Sequence, residues 1–256
     1  MEHINEQDAS RRLERQEEAL RRVVTEVIPL SGKAYFDKTA SLLQELFDAD
    51  HAFIGLLNED HTEVETLSYA DQHQIRPNFR YSLKGTPCRQ VTQRGARSYP
   101  KRVKALFPQD PLLQNMGIKG YIGSPILDRA NKPLGLLVML FEAEVESGEA
   151  QFIAYILELL AANIANELER MEREEELKAS EANFRALTEN TQDLIFSVNR
   201  RYQVLTANAR CKAFSKKQFQ VEVKEGISIF HGRPPEAADK YKPRFERCFN
   251  GERFTT

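Results

Sequence analysis

The sequence contains no tryptophan and few of the residues on which common catalytic and metal sites depend. Its three cysteines, Cys88, Cys211 and Cys248, lie far apart and have neither metal-ligand spacing nor a disulfide framework. Only 12 glycines are present, and no phosphate-binding loop, dinucleotide fingerprint, nucleophile elbow or kinase motif occurs. The sequence therefore predicts no catalytic residue and no metal site, and a reducing cytoplasm is the simplest setting.

An excess of one charge and long apolar runs are also missing. The formal net charge is -2, so no broad positive field attracts a polyanion, and nucleic acid is not an expected partner. No apolar run approaches the roughly 20 residues that a membrane-spanning helix needs, so no membrane span is predicted. The first residues are polar and include acidic side chains, which argues against a signal or transit peptide.

Two apolar runs joined by a polar turn are the clearest structural signal. Tyr121–Leu127 and Pro133–Leu140 flank a short turn of residues 128–132, which is typical of a β-hairpin. Strand patterns near residues 51–57, 64–69 and 81–83 bring the expected number of strands to about five. Helical segments precede, interrupt and follow these strands. The order predicts an α+β fold with an antiparallel sheet flanked by helices.

Several short motifs occur in order over about a hundred residues: Gly85-Thr86-Pro87-Cys88, Tyr99-Pro100, Phe107-Pro108-Gln109-Asp110, Gly120 to Ile126 and Pro133-Leu134-Gly135. Together they resemble the motifs of a GAF domain, a small-ligand-binding sensor module of bacterial signalling proteins. The resemblance covers roughly Phe36 to Arg170. It implies a sensor domain over residues 33–170, whose last helix runs into a linker, but it does not identify the ligand.

The N-terminal segment, residues 1–32, is predicted to be an amphipathic dimerisation helix. From Glu6 to about Val27, Leu13, Leu20 and Val27 are spaced by seven, which gives a narrow apolar stripe suited to a partner helix. A second helix, from about Tyr35 to Phe47, is expected to precede the first strand.

The longest helical pattern runs from about Ser147 to Ala186. Early in this helix the apolar face is wide enough to pack on a sheet; after Leu168 it thins and charges dominate, which is typical of a coiled-coil linker, assigned to residues 171–182. A homodimer through the N-terminal and linker helices is therefore expected. The linker-helix residues predicted from this pattern are Leu157, Leu160, Ile164, Leu168, Met171 and Leu177.

Residues 183–256 resemble the N-terminal part of a PAS domain. A short helix, a strand, a turn at Arg200-Arg201 and a strand ending in Ala207-Asn208 follow the PAS order. A PAS sheet normally has five strands, and this segment supplies the first two and the start of a third. The PAS-like domain is therefore expected to be incomplete at its C-terminus. The resemblance implies a bacterial multi-domain sensor whose effector is a histidine kinase or, as a second choice, a diguanylate cyclase.

The candidate ligand-binding residues lie on the predicted strands and on the segment that crosses the sheet. Core packing explains the same residues without a ligand, and both interpretations stay open. Arg97 and Asp110 are polar groups that could orient a ligand. The candidate residues are Phe53, Cys88, Tyr99, Phe107, Leu113, Met116 and Tyr121.

Cys88 has a second interpretation, as the nucleophile of a GAF-fold thiol redox enzyme, because a helix N-terminus stabilises a thiolate. The methionine sulfoxide reductases of this fold use more than one cysteine, and this segment has one. Bilin attachment is not predicted, because no Cys-His pair or Asp-Ile-Pro segment is present. His231 lacks a visible partner ligand for haem. The sequence requires no cofactor, and whether the protein binds one is unknown.

The favoured function is sensory input to a downstream effector; a thiol enzyme and a structural dimerisation module are the alternatives.

Overall fold

A computed structural model describes residues 13–253 and residue 255. The first residues of the predicted N-terminal helix lie outside the described residues. The chain divides between Arg173 and Glu174 into two compact units.

The first unit is an antiparallel sheet with helices on both faces. Its helices are α1 (residues 13–27, ending in a π-helical turn, Val23–Val27), α2 (Gly32–Phe47), α3 (Pro87–Arg94), α4 (Val103–Leu106), α5 (Pro111–Asn115) and α6 (Ser147–Glu189), the last of which continues into the second unit. Its strands are β1 (His51–Leu57), β2 (Glu63–Asp71), β3 (Gln74–Arg76), β4 (Arg80–Ser82), β5 (Arg97–Tyr99), β6 (Gly120–Leu127) and β7 (Pro133–Phe141).

The seven strands are arranged in the order β3-β2-β1-β7-β6-β5, and β4 pairs with β2 beside β3. The predicted hairpin is confirmed as β6–β7, in which Gly120 lies opposite Phe141 and Ile126 opposite Gly135. The α+β fold with an antiparallel sheet is likewise confirmed. β3 and β5 were not predicted, because each has three residues and a mainly polar sequence.

Strand β7 shows why the sheet is covered on both faces. Leu137 and Met139 belong to the core beneath α1, α2 and α6, whereas Leu136 and Val138 belong to the core beneath α3, α4 and α5. All four side chains are fully buried. Successive side chains of β7 point alternately into these two cores, so residues on both faces of the strand must be apolar. The resulting continuous apolar run is the pattern from which the hairpin was predicted.

Helix α1 packs on its own unit. Ala19, Val23 and Val27, spaced by four, are buried in the core formed with α2 and α6, while Leu13 is exposed. Arg22 of α1 forms an ion pair with Glu45 of α2 at 2.9 Å. The prediction that a seven-residue stripe of α1 faces a partner helix is therefore wrong for Val27, which is inaccessible to a second chain.

The N-terminal half of α6 is likewise part of the core. Leu157, Leu160 and Ile164 are no more than 1% exposed and pack on the sheet, so these three predicted linker residues cannot contact a second chain. Leu168 is partly buried at the edge of this core. Only Met171 and Leu177, at 38% and 61% exposure, are accessible in the way a dimer contact requires.

The second unit contains the end of α6, the hairpin β8 (Phe196–Val198) and β9 (Val204–Ala207), and helices α7 (Ala209–Phe219) and α8 (Pro235–Phe249). Val204, Val223 and Ile229 form its small core. Asn208 caps α7, and its side-chain amide donates hydrogen bonds to the carbonyl oxygens of Thr188 at 2.8 Å and Asp193 at 3.0 Å. Asn208 therefore ties the end of α6 to the hairpin.

Across residues 13–253, no helix combines the length and apolar character needed to cross a membrane.

Candidate functional site

The second face of the first unit's sheet is covered by short helices whose start points are set by capping residues. Thr86 caps α3 through its hydroxyl oxygen, which accepts a hydrogen bond from the Arg89 amide at 3.3 Å. Asp110 caps α5 in the same way, and proline follows each cap. Proline at the first helical position has its φ angle already fixed and lacks an amide that would go unpaired there. These caps place Cys88 and Leu113 over the sheet.

The structure brings the predicted ligand-binding residues together. All of them belong to one apolar cluster between β1, β6 and the covering helices. Tyr121 is fully buried, Cys88 is 4% exposed, and Tyr99 and Met116 are half-buried at the margin. The cluster contains Phe53, Cys88, Tyr99, Phe107, Leu113, Met116 and Tyr121.

A small cavity of about 20 Å³ lies inside this cluster, and we call it the sheet cavity. It is lined by Phe53, Tyr69, Phe79, Tyr81, Pro87, Cys88, Asp110, Leu112, Leu113, Met116, Tyr121 and Leu140. Tyr99 and Phe107 do not line it but pack edge to face beside it, with ring centroids 5.2 Å apart. A cavity of this size holds about one water molecule, far below the roughly 300 Å³ or more of a typical ligand pocket.

Cys88 has the environment of a protonated thiol. Its Sγ accepts hydrogen bonds from the hydroxyls of Tyr81 at 3.2 Å and Tyr121 at 3.3 Å. Burial raises the pKa of the Cys88 thiol to about 11 and outweighs these two donors, which favour the thiolate. Desolvation therefore outweighs any stabilisation of a thiolate by the start of α3, which speaks against the thiol-enzyme alternative.

Tyr121 lies against Gly123 and donates a hydrogen bond to Cys88. A methyl group built on Gly123 would lie 2.5 Å from the Tyr121 hydroxyl oxygen, so the absence of a side chain at Gly123 makes room for that ring. Burial, followed by the proximity of Cys88, raises the pKa of the Tyr121 hydroxyl well above its ordinary value. The hydroxyl remains a neutral hydrogen-bond donor to Cys88.

Asp110 is the charged side chain of the sheet cavity. It is 4% exposed, and its Oδ1 accepts hydrogen bonds from the amides of Leu112 at 2.9 Å and Leu113 at 3.2 Å. Burial raises the pKa of this carboxyl, although the two amides act in the opposite direction. Arg97, the other polar group considered from the sequence, lies on β5 and donates to the carbonyl oxygen of Ala96, outside the cavity lining.

Comparison with known proteins decides the family of this unit. The model of the family described as GAF domain matches residues 31–169, more than half of the chain. The chain belongs to the GAF domain family. The expectation drawn from the motifs around Gly85 and the hairpin is thereby confirmed.

Solved structures with GAF domains show distant similarity. The GAF domain of an Acinetobacter phosphoenolpyruvate-protein phosphotransferase is 16% identical, with a TM-score of 0.46, and the match covers 62% of this chain and 95% of that one. The A. aeolicus nlh2 GAF domain in an inactive state is 11% identical, with a TM-score of 0.47 and coverages of 62% and 96%. A phycocyanobilin-bound GAF domain from a cyanobacterial phytochrome is 17% identical, with a TM-score of 0.47 and coverages of 59% and 94%. No curated protein matches the chain.

The sequence analysis missed three aromatic residues of the GAF domain cavity. Tyr69 lies on β2, Tyr81 lies on β4, and Phe79 directly precedes β4; their rings pack on Phe53 or on one another with centroids 5.1 to 6.1 Å apart. The signal available in the sequence was the alternation of Phe79 and Tyr81, which places both rings on one face of a strand. A strand near residues 81–83 was predicted, but the prediction did not extend back to Phe79 and assigned none of these rings to the ligand site.

Metal ligands do not cluster in the part of the chain that the structure describes: no group of three His, Cys, Asp or Glu residues there could hold an ion. His231 lies in the second unit beside a cavity of about 10 Å³. An open groove of about 1030 Å³ also lies in the second unit, between the end of α6 and β9. None of the predicted ligand-binding residues lines this groove.

Proposed function

We propose that this chain is the sensory or regulatory input region of a signal-transduction protein. The state of its GAF domain would be relayed through α6 to the second unit and on to an effector. The observation that carries the proposal is the course of α6, one helix that begins inside the GAF core and ends inside the second unit.

The part of α6 that belongs to the GAF domain is held by ion pairs and a hydrogen bond as well as by packing in the core. Glu169 forms ion pairs with Arg129 of the β6–β7 turn at 2.9 Å and with Arg173 one turn further along α6 at 2.7 Å. Glu167 accepts a hydrogen bond from the Gly32 amide at the start of α2. A change in the sheet or its hairpin would therefore be transmitted to α6 through contacts that hold its position.

The later part of α6 carries exposed apolar residues among charged ones. Leu177, Phe184 and Leu187 are 61%, 64% and 75% exposed, and we call them the linker stripe. Leu177 and Phe184 are seven residues apart and Leu187 follows three later, which is the a and d spacing of a coiled coil. The partner that this spacing fits is the same helix of a second copy of the chain.

The mechanism is a shift between two arrangements of the paired helices. A ligand or a change in the GAF domain moves that equilibrium only by its difference in affinity for the two arrangements. The second unit would be PAS-like, as supported by the Ala207-Asn208 end of β9 and the helix cap that follows it. By resemblance, the effector would be a histidine kinase. The proposal assigns no catalytic step to this chain.

Sedimentation velocity of two matched variants tests the dimer on which the relay depends. Leu177→Glu places a charge in the linker stripe, whereas Ala179→Glu adds the same charge to the exposed surface two residues away, outside the stripe. We expect a dimer for the wild type and for Ala179→Glu, and a shift of at least tenfold in the dimer dissociation constant for Leu177→Glu. A monomeric wild type at 100 μM (about 3 mg/ml for this chain), or equal effects of the two variants, would contradict the proposal.

The volume of the sheet cavity favours a second candidate function, a structural dimerisation module whose GAF pocket is filled by its own side chains. At about 20 Å³ the cavity leaves room for no ordinary ligand. Native mass spectrometry of the purified protein separates the two functions, because a retained or added ligand supports the sensor. The thiol enzyme receives no such support, since Cys88 is buried with a raised pKa.

A further inference from the structure

We propose that the sheet cavity binds an ammonium group, either the free ammonium ion or the terminal ammonium of a primary amine. This inference rests on the proposed sensory function of the GAF domain and names the chemical class of its ligand. Four properties of the cavity support it: its charge, its hydrogen-bonding groups, its aromatic lining and its size.

The cavity carries a negative charge that no cationic side chain of its lining offsets. Asp110 is the single charged residue among those lining it. Oδ1 takes both amide hydrogens of the cap, while Oδ2 has no hydrogen bond and the carboxylate has no ion pair within residues 13–253. A carboxylate that is 4% exposed has lost most of its hydration, and a bound cation would compensate for that loss.

Apart from the weak S–H donor of Cys88, the hydrogen-bonding groups of the cavity that face a ligand include the lone pairs of two tyrosine hydroxyls and a carboxylate. Tyr81 and Tyr121 have already donated their hydroxyl hydrogens to the Cys88 Sγ, so each phenol oxygen offers only lone pairs. The Tyr69 hydroxyl is engaged with the Nδ1 of His51 at 3.0 Å. An ammonium group has donors and no acceptor, so it matches this set. An anion would find no cationic side chain in the lining.

Five aromatic rings line the cavity together with the carboxylate. A cation over the face of an aromatic ring is attracted by the ring quadrupole, and several rings together form the cage with which proteins recognise ammonium ligands. The five rings of the lining are those of Phe53, Tyr69, Phe79, Tyr81 and Tyr121.

The size of the cavity restricts the ligand. About 20 Å³ accommodates a group the size of one water molecule, which is also the size of an ammonium ion. Phe79 and Tyr81 are half-buried, so the cavity approaches the surface at their rings. The alkyl chain of a primary amine would leave the cavity on that side.

A thermal-shift titration of the full chain at constant ionic strength tests the inference. The probes are ammonium chloride and propylammonium chloride, with sodium chloride and tetramethylammonium chloride as controls. We expect the first two to raise the melting temperature of the GAF domain in a saturable way, since a ligand that binds only the folded state stabilises it. The tetramethylammonium ion has no N–H donor and exceeds the cavity, so no saturable shift is expected from it.

The variant Asp110→Asn isolates the charge, because asparagine caps helices as well as aspartate does. We expect at least tenfold weaker ammonium binding in this variant. Asp128→Asn is the matched control: the Oδ1 of Asp128 also accepts two backbone amide hydrogens, from Ala130 and Lys132 at 2.8 Å each, but it lies in the β6–β7 turn away from the cavity. This control should bind as the wild type does.

Equal binding by wild type and Asp110→Asn would overturn the inference, as would equal responses to ammonium and sodium. If Asp110→Asn fails to fold, ¹⁵N-labelled ammonium with the wild type decides the matter: a slowly exchanging NH₄⁺ signal with cross-peaks to tyrosine ring protons supports the site, and its absence refutes it. Tighter binding of propylammonium than of ammonium would identify a primary amine as the ligand. Failure here leaves the dimer measured by sedimentation untouched, and a monomer that binds ammonium would contradict only the relay.

Discussion

Replacing Leu157 by alanine tests whether the first half of α6 belongs to the GAF core or to a dimer contact. Leu157 is fully buried in the core between α6 and the sheet. The change removes three carbon atoms, worth roughly 2.4 kcal/mol at about 0.8 kcal/mol for each buried methylene. The cavity that remains adds to this cost, which brings the expected loss to roughly 3–4 kcal/mol of unfolding free energy, within the range for buried Leu→Ala changes.

Differential scanning calorimetry measures this loss. For a domain of this size each kcal/mol lowers the melting temperature by about 2–4 °C, so we expect Leu157→Ala to lower the GAF transition by roughly 6–16 °C. The matched variant is Leu177→Ala on the same helix, where the side chain is 61% exposed and its loss should barely change that transition. Sedimentation should give the reverse order, with dimerisation weakened by Leu177→Ala and retained by Leu157→Ala. A Leu157→Ala protein that keeps its melting temperature but loses the dimer would refute the assignment.

Two further changes test the sheet and its cavity. A methyl group at Gly135 would lie 2.2 Å from the Gly55 carbonyl oxygen on the neighbouring strand, so Gly135→Ala should lower the GAF melting temperature far more than Ala96→Gly at a half-buried position, and equal melting temperatures would contradict the register. Cys88, whose pKa is raised from 9.0 to about 11, should react with iodoacetamide at neutral pH at least a hundredfold more slowly than the exposed Cys248. Because the folded state holds the Cys88 proton more tightly than the unfolded state, GAF stability should fall as pH rises from about 9 to 11. Cys88→Ser should reduce that slope, and buried tyrosines such as Tyr121, whose pKa is also raised, should supply the remainder.

The elements with long apolar patterns could be predicted from sequence. The hairpin β6–β7 was recognised because its strands are eight and nine residues long and are joined by a polar turn. Strands β3 and β5 could not be recognised, because three residues carry too little periodicity and their structure depends on pairing with β2 and β6. The helical spacing in α6 predicted its length, and the thinning of the apolar face after Leu168 lies where its apolar residues change from buried to exposed.

The candidate site was predicted only in part, for a physical reason. Tyr121 and Phe53 lie on strands with clear apolar patterns, so their proximity follows from the sheet. The role of Asp110 depends on its capping of α5 and on its burial, and neither property can be read from the spacing of residues in the sequence. The seven-residue spacing of Leu20 and Val27 suggested a partner helix, whereas α1 uses a four-residue spacing to cover its own core.

The borders of the GAF sheet limit how copies of this chain can associate. The strands β3 and β5 at the two ends of the strand order are three residues long, and beyond β5 the outer side of β6 contains Pro125, which has no amide hydrogen to offer. Short borders interrupted by proline give an approaching strand few backbone groups to pair with, which discourages one sheet from being extended by another. Fibrillar or edge-to-edge aggregation of the folded GAF domain is thereby disfavoured, even at high concentration.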